Sequence, residues 1–146
     1  MTEKILKRIN ELLDETDMTF DEISAATDVK FSKLRAIHQH KNLPSLEIII
    51  QIAEFCNCSV SFILGLYDFP DEFEKGLNTS NIAPNLKDFI AKNAPRFYFM
   101  VRRGFHKKFP SFKKWLSGNV CPNTYNFIEL VKALDLLAED LLRKID

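Results

Sequence analysis

Met18 to Ser45 reads M-T-F-D-E-I-S-A-A-T-D-V-K-F-S-K-L-R-A-I-H-Q-H-K-N-L-P-S, and the order of its apolar residues and breakers sets the fold to expect. Thr19 followed three residues later by Glu22 has the spacing of a capping box, which opens a helix by satisfying two backbone N–H groups. Ile23 and Ala26 supply a short buried stripe behind it, and Thr27-Asp28 breaks the pattern. After this tight turn, Lys30 to His40 places Leu34 and Ile37 on an inner face while Lys33 and Arg35 point elsewhere, predicting a helix buried on one side and basic on another. Pro44-Ser45 restarts the chain in a helix over Leu46 to Phe55, and Val60, Phe62, Ile63 and Leu64 predict a fifth segment stopped by Gly65. Upstream, Ile5, Ile9, Leu12 and Leu13 recur at three- and four-residue steps, predicting a first amphipathic helix that ends near Asp14 to Asp17.

The same design recurs further along the chain. A shift of 78 residues lays Pro44 on Pro122, Ile49-Ile50 on Phe127-Ile128, Ile52-Ala53 on Leu130-Val131 and Ile63-Leu64 on Leu141-Leu142. Ile23 then meets Val101, Leu34 meets Phe112 and Ile37 meets Trp115. Any two helical segments share apolar spacing, but the register of the prolines is independent of helical period, so the match reads as an internal duplication. Between the copies, Leu66 to Pro84 carries Pro70, Gly76, an Asn-Thr-Ser-Asn run and four acids from Asp68 to Glu74, with room for a short helix after Pro70. Beyond it Asn85 to Ala94 reads as the first helix of the second copy, closed by Pro95. The expected organisation is a domain over residues 1–67, a linker over 68–84 and a second domain over 85–146.

Formal charge sums to zero, but its distribution is segregated. Residues 89–128 contain no Asp or Glu, yet hold Lys92, Arg96, Arg102, Arg103, Lys107, Lys108, Lys113 and Lys114. A smaller acid-free stretch between Asp28 and Glu47 holds Lys30, Lys33, Arg35 and Lys41 with His38 and His40. Two basic segments in a small chain point to a polyanionic partner, most simply nucleic acid. Thirteen Phe and 46% hydrophobic content can fill cores without staples, and the odd count of Cys56, Cys58 and Cys121 fits a reducing, cytoplasmic setting. The longest apolar run, Leu46 to Leu66, is broken by Glu47, Gln51, Glu54 and Asn57, so no membrane partner is expected, and Met1 to Asn10 has helical spacing and not that of an export leader.

Over Ile5 to Tyr67 the chain resembles the lambda-repressor and Cro type of helix-turn-helix regulator, the xenobiotic-response-element family. The match is carried by Met18 to Ser45 and by L-E-I-I-I-Q-I-A-E-F-C-N-C-S-V-S-F-I-L-G to Gly65. In that pattern Thr19 opens the second helix, Ala26 packs where two helices cross, Val29 begins the third helix and Pro44-Ser45-Leu46 the fourth. Phe20 replaces a Gln that often clamps a phosphate in the family, and Asp28 and His40 replace turn glycines. A more divergent likeness covers Arg96 to Leu142, where Gly118 and Pro122 match, Tyr98 again replaces Gln, Gly104 stands for the helix-crossing Ala and His106 falls in the turn. The resemblance implies an all-α protein of two tandem five-helix lambda-repressor-like domains. It further implies a sequence-specific double-stranded DNA-binding transcriptional regulator, a repressor of phage or mobile-element type, with homodimers common in the family.

In such a motif the third helix enters the major groove, which brings Lys30, Phe31, Ser32, Lys33 and Arg35 to base edges, while Gln39, Lys41 and Asn42 lie beside the sugar-phosphate backbone with His38 and His40, and Thr19 is a further DNA-binding candidate. In the second copy Arg102, Arg103, Lys107, Lys108, Ser111, Lys113 and Lys114 occupy the equivalent region. Cations without Asn or Gln suit phosphate better than base discrimination, so this half is expected to anchor more than read. Phe97, Tyr98, Phe99 and Trp115 fall at helical spacing and read as core in preference to stacking platforms. His38-x-His40 lacks the further ligands of a zinc site, and neither a metal nor a cofactor is expected. No glycine-rich phosphate loop, nucleophile elbow or catalytic carboxylate pair is present, which points away from catalysis. The rival reading is a protein-interaction module (an inhibitor, antirepressor or antitoxin) whose basic second half binds an acidic protein.

Overall fold

The computed structural model describes residues 2–145, whose regular structure is all helix, with no strand among the described residues. Met1 and Asp146, the outer ends of the two expected domains, lie outside them. The chain forms two compact units, Met1–Lys75 and Gly76–Asp146. Their boundary falls inside the stretch read as a linker. No helix follows Pro70 before the short 3-10 turn at Thr79–Asn81, and Leu77 is already buried in the second unit. None of the helices is long and apolar enough to cross a membrane, among the described residues.

The first unit contains α1 (Thr2–Asp14), α2 (Phe20–Thr27), α3 (Phe31–His38), α4 (Leu46–Cys56) and α5 (Val60–Ile63). Side-chain caps fix where the helices begin: Thr19 and Glu22 form the full capping box, Ser45 accepts from Ile48 N and Ser59 from Phe62 N. Left-handed residues end α2 at Asp28 (φ 62°) and α4 at Asn57 (φ 50°), both of a residue type that tolerates this backbone region. Ile5, Leu6 and Ile9 of α1, Leu34 of α3, Ile49 and Ile52 of α4 and Ile63 of α5 are fully enclosed. Each such aliphatic side chain contributes roughly 1.5–3 kcal/mol by leaving water. Arg8 ties α1 to the end of α5: its guanidinium donates to the carbonyls of Phe62 and Tyr67, lies 4.3 Å over the Phe62 ring and reaches Asp68 at 3.5 Å.

Ala26 does not pack at the α2–α3 crossing; it is exposed. The inner positions of α2 are Ile23 and Thr27, with Ser24 half-buried, because the helix is only eight residues long and its stripe turns toward its own C-terminal turn. Ser24 Oγ donates to Val29 O at 2.6 Å, Thr27 Oγ1 donates to Ile23 O at 2.7 Å, and Val29 N donates to Thr27 Oγ1 at 3.2 Å. Two hydroxyls therefore hold the turn. Val29 lies in that turn and α3 begins at Phe31, with Lys30 as its N-cap.

In the second unit the 3-10 turn leads into α6 (Ile82–Lys92), α7 (Ala94–Met100), a π-helical turn (Val101–Phe105), α8 (His106–Lys108), α9 (Phe112–Ser117), α10 (Thr124–Ala133) and α11 (Ala138–Leu142). The 78-residue register holds in its C-terminal half at positions unrelated to apolar spacing. N-caps fall at Ser45 and Asn123, and left-handed residues at His40 and Gly118 and at Asn57 and Asp135. Pro44 and Pro122 are both buried, and Ile52 and Leu130 are both fully enclosed.

Elsewhere the second unit departs from the expected register. Its first helix starts at Ile82 and not at Asn85, since Pro84 sits in the first turn, where a missing N–H costs nothing. Pro95 likewise opens α7 directly after α6 ends. The left-handed turn falls on Gly104 (φ 96°), two residues ahead of His106, and Gly104 is thus a turn residue and not the crossing residue. An aromatic cluster explains the shift. Phe105 packs on Phe97, Phe109 and Phe112 with ring centroids 4.8–5.6 Å apart, and Trp115 meets Phe109 at 5.9 Å. Where the first unit encloses Ile and Leu, this one must seat rings, and the chain kinks at left-handed Gly104 directly before the buried Phe105.

Ile52→Asp and Leu130→Asp should each cost at least about 3 kcal/mol, from lost apolar burial and the charge placed in a closed core. The single Trp, Trp115, belongs to the second unit. Its fluorescence in urea should therefore report early unfolding of Leu130→Asp and an almost unchanged transition for Ile52→Asp.

Candidate nucleic-acid interface

Helix α3 carries its apolar residues Leu34 and Ile37 inward and leaves Phe31, Ser32, Lys33, Arg35 and His38 exposed. Lys30 at its N-cap and Gln39, Lys41 and Asn42 beyond its end are exposed as well. The structure brings Lys30, Phe31, Ser32, Lys33 and Arg35 onto one short helix and its cap, and Gln39 to Asn42 onto the loop that follows. No Asp or Glu interrupts the chain from Val29 to Leu46, so this face is locally cationic although the unit holds eight Lys/Arg against fourteen Asp/Glu.

Thr19 has a local occupation. Its hydroxyl accepts from Glu22 N at 3.2 Å and lies 3.1 Å from Glu22 Oε1, while Thr19 N donates to that same carboxylate oxygen. It fixes the start of α2 and with it the position of Phe20.

Phe20 contributes a feature that periodicity alone did not reveal. Its ring packs edge-on against Phe31 (centroids 5.9 Å, 74°) and His38 (5.4 Å, 68°). Phe20 thus joins the start of α2 to both ends of α3. The signal was the spacing of Phe31 and His38, seven residues apart and so on one side of α3. The two histidines of His38-x-His40 serve different neighbours. His40, left-handed at φ 54°, turns its ring toward α1, with Nδ1 3.2 Å from Glu3 Oε2 and Nε2 3.3 Å from Asn10 Nδ2. Asn10 also donates to Ile37 O at 3.1 Å, so the end of α3 is anchored on α1, and His40 belongs to that anchor and not to the loop beside it.

In the second unit Arg102, Arg103, Lys107, Lys108, Lys113 and Lys114 are exposed and Ser111 is half-buried. They spread over the π turn, α8 and α9 instead of one helix. Lys108 is engaged, 3.5 Å from Glu129 of α10. Arg102 lies 5.7 Å over the ring of Tyr98. The unit holds twelve Lys/Arg against six Asp/Glu, opposite in sign to the first. Phe97 and Trp115 join the aromatic core, but Tyr98 and Phe99 do not: both are 58% exposed, because Phe97 and Phe105 already fill the inner side of α7 and its π turn. Helical spacing places at most one of three consecutive rings inward.

Burial, and then the charge of Glu15, push the Cys56 thiol up to about 11, while Cys58 is buried and Cys121 exposed. An inert, protonated Cys56 suits packing and not thiolate chemistry.

No protein-family model matches the chain, and no match is found among curated proteins or solved structures.

At pH 8, Cys56 should alkylate with iodoacetamide roughly a hundredfold more slowly than an ordinary thiol, since its thiolate is that much rarer. The lag should shrink as pH rises toward 11. Peptide mapping by mass spectrometry, with exposed Cys121 as the internal reference, measures both.

Proposed function

We propose that the chain is a sequence-specific double-stranded DNA-binding regulator of helix-turn-helix type, with α2 and α3 as the motif and α3 as the helix that enters the major groove. The observation that carries this reading is the exposed, acid-free cationic face of α3. It is set off a capped α2 by a left-handed turn, in a unit that is otherwise acidic. A local cationic surface maintained against the sign of its surroundings is what a phosphate backbone selects. Lys30, Lys33 and Arg35 are donors for guanine O6/N7 or phosphate, Ser32 for either, and Phe31 offers an apolar edge to a thymine methyl.

In this reading the second unit is a divergent copy of the motif in which Gly104 forms the turn and the cations of the π turn, α8 and α9 hold phosphates. Repression, of the kind used by phage or mobile elements, is the role proposed from the likeness of Met18 to Gly65 to that family. Selection of bound fragments from random duplex DNA with the full chain tests the reading: a recovered motif supports it, and retention of an acidic protein with no enriched duplex would replace it with an interaction module.

Lys33→Ala with Arg35→Ala should abolish preference for the selected site without loss of helicity, since both side chains are exposed. Each lost base contact should cost about 1–3 kcal/mol of discrimination, read by competition against random duplex.

The second unit should respond differently. Lys107, Lys113 and Lys114 replaced together by Gln should weaken binding to every duplex alike and flatten the slope of log affinity against log salt by roughly 2 to 3 units, at about 0.9 per phosphate contact. Lys108, already paired with Glu129, should add little when it too is replaced.

A further inference from the structure

The exposed rings of α7 find no role in duplex binding. Tyr98 and Phe99 are both more than half exposed and meet each other at 6.1 Å, 69°. Beside them Arg96, Phe99, Met100 and Arg103 line an open groove of about 530 Å³ together with Ala133 of α10. Arg96, Phe99 and Arg103 follow the steps i, i+3 and i+7 of one helical face, which puts an aromatic ring between two guanidinium groups. On the adjacent face Arg102 lies over Tyr98.

The choice of cation is informative. Within the acid-free stretch every Arg (Arg96, Arg102, Arg103) lies on α7 or the π turn beside these rings, and every Lys lies outside them. Guanidinium stacks on flat faces and grips phosphate with two parallel hydrogen bonds; ammonium does neither as well. A ring and a guanidinium alternating along a helix match the alternation of base and phosphate in an unpaired strand. An amphipathic helix would ask for a continuous apolar stripe, and here arginine interrupts it at each end.

The geometry points to this surface as a binding site for single-stranded nucleic acid, in which unpaired bases stack on Tyr98 and Phe99 and phosphates pair with Arg96 and Arg103. The site is separate from the α3 face proposed for duplex DNA and shares Arg103 with the phosphate contacts proposed for the second unit. It rests on the reading of the chain as a nucleic-acid binder and extends that reading from paired to unpaired strands.

The test uses the full chain, fluorescence anisotropy, and two labelled probes: an oligothymidylate of about 15 nucleotides, within the range of about 4–16 that a single such platform covers, and a random duplex. The parent should bind both. Tyr98→Ala with Phe99→Ala should lose at least about tenfold in affinity for oligothymidylate and keep its affinity for the duplex within about twofold. Tyr98→Phe with Phe99→Tyr, which keeps both rings, should bind like the parent. Arg96→Gln, at a residue outside the cations assigned to duplex phosphates, should weaken the single strand, flatten its salt dependence and keep duplex affinity within about twofold. Circular dichroism at the working temperature checks that each variant is folded, and an unfolded alanine variant passes the decision to Arg96→Gln. Duplex binding by the parent without oligothymidylate binding would overturn this inference alone. Failure to bind either would overturn the wider reading. Unchanged oligothymidylate binding by the alanine variant, with or without a change in oligomeric state, would also overturn the inference.

Discussion

The direction of α3 depends on one left-handed residue. Asp28 turns the chain between α2 and α3, and the hydroxyls of Ser24 and Thr27 hold the strand of backbone through Val29 on either side of it. If that turn relaxed, Leu34 and Ile37 would leave the core and the cations of α3 would lose their common face. The far end of the same helix is fixed as tightly, by Asn10 reaching from α1 to Ile37 O. Between these two anchors Phe20 bridges Phe31 and His38. A helix of eight residues, too short to be stable alone, is thereby held at both ends and along its outer side, as most helical stability in proteins comes from packing and not from propensity.

The second unit solves the same problem with different material. Part of its core is a cluster of rings, which need more room and preferred edge-on or offset geometries, and the chain kinks beside them at left-handed Gly104, within Val101–Phe105. Phe97 and Phe105 take the inner side of this stretch, which leaves Tyr98 and Phe99 on the surface. The aromatic interior and the exposed rings are therefore linked consequences of one packing choice.

How much of this was legible in the sequence follows from which interactions are local. The Thr19–Glu22 capping box, the restart at Pro44-Ser45 and the register shared by Pro44 and Pro122 depend on neighbours along the chain, and the helices began where those signals placed them. The all-helical character was legible for the same reason. The position of Ser24 in place of Ala26 was not, because Ile23 is inner in either phase and an eight-residue helix holds too few apolar residues to decide which neighbours share its stripe. Nor was the turn at Gly104, since it is set by where Phe105, Phe109 and Phe112 can meet, a long-range packing result that no spacing rule contains. Among the candidate contact residues, exposure of the α3 cations followed from the Leu34/Ile37 stripe. The pairing of Lys108 with Glu129 and the turning of His40 toward α1 did not, because each partner is remote in sequence.

The opposite charge of the two units has a consequence for encounter. At distances greater than the chain's own dimensions the excess acids of one unit cancel the excess cations of the other, and a distant polyanion meets almost no net attraction. Within about 10 Å at 0.1 M salt, the screening distance, it meets one surface at a time. The acidic unit then repels most approaches, except where α3 faces outward, while the basic unit attracts. Segregation of this kind bears on which surface a polyanion can touch and not on long-range capture, because the twenty cations and twenty acids balance in total.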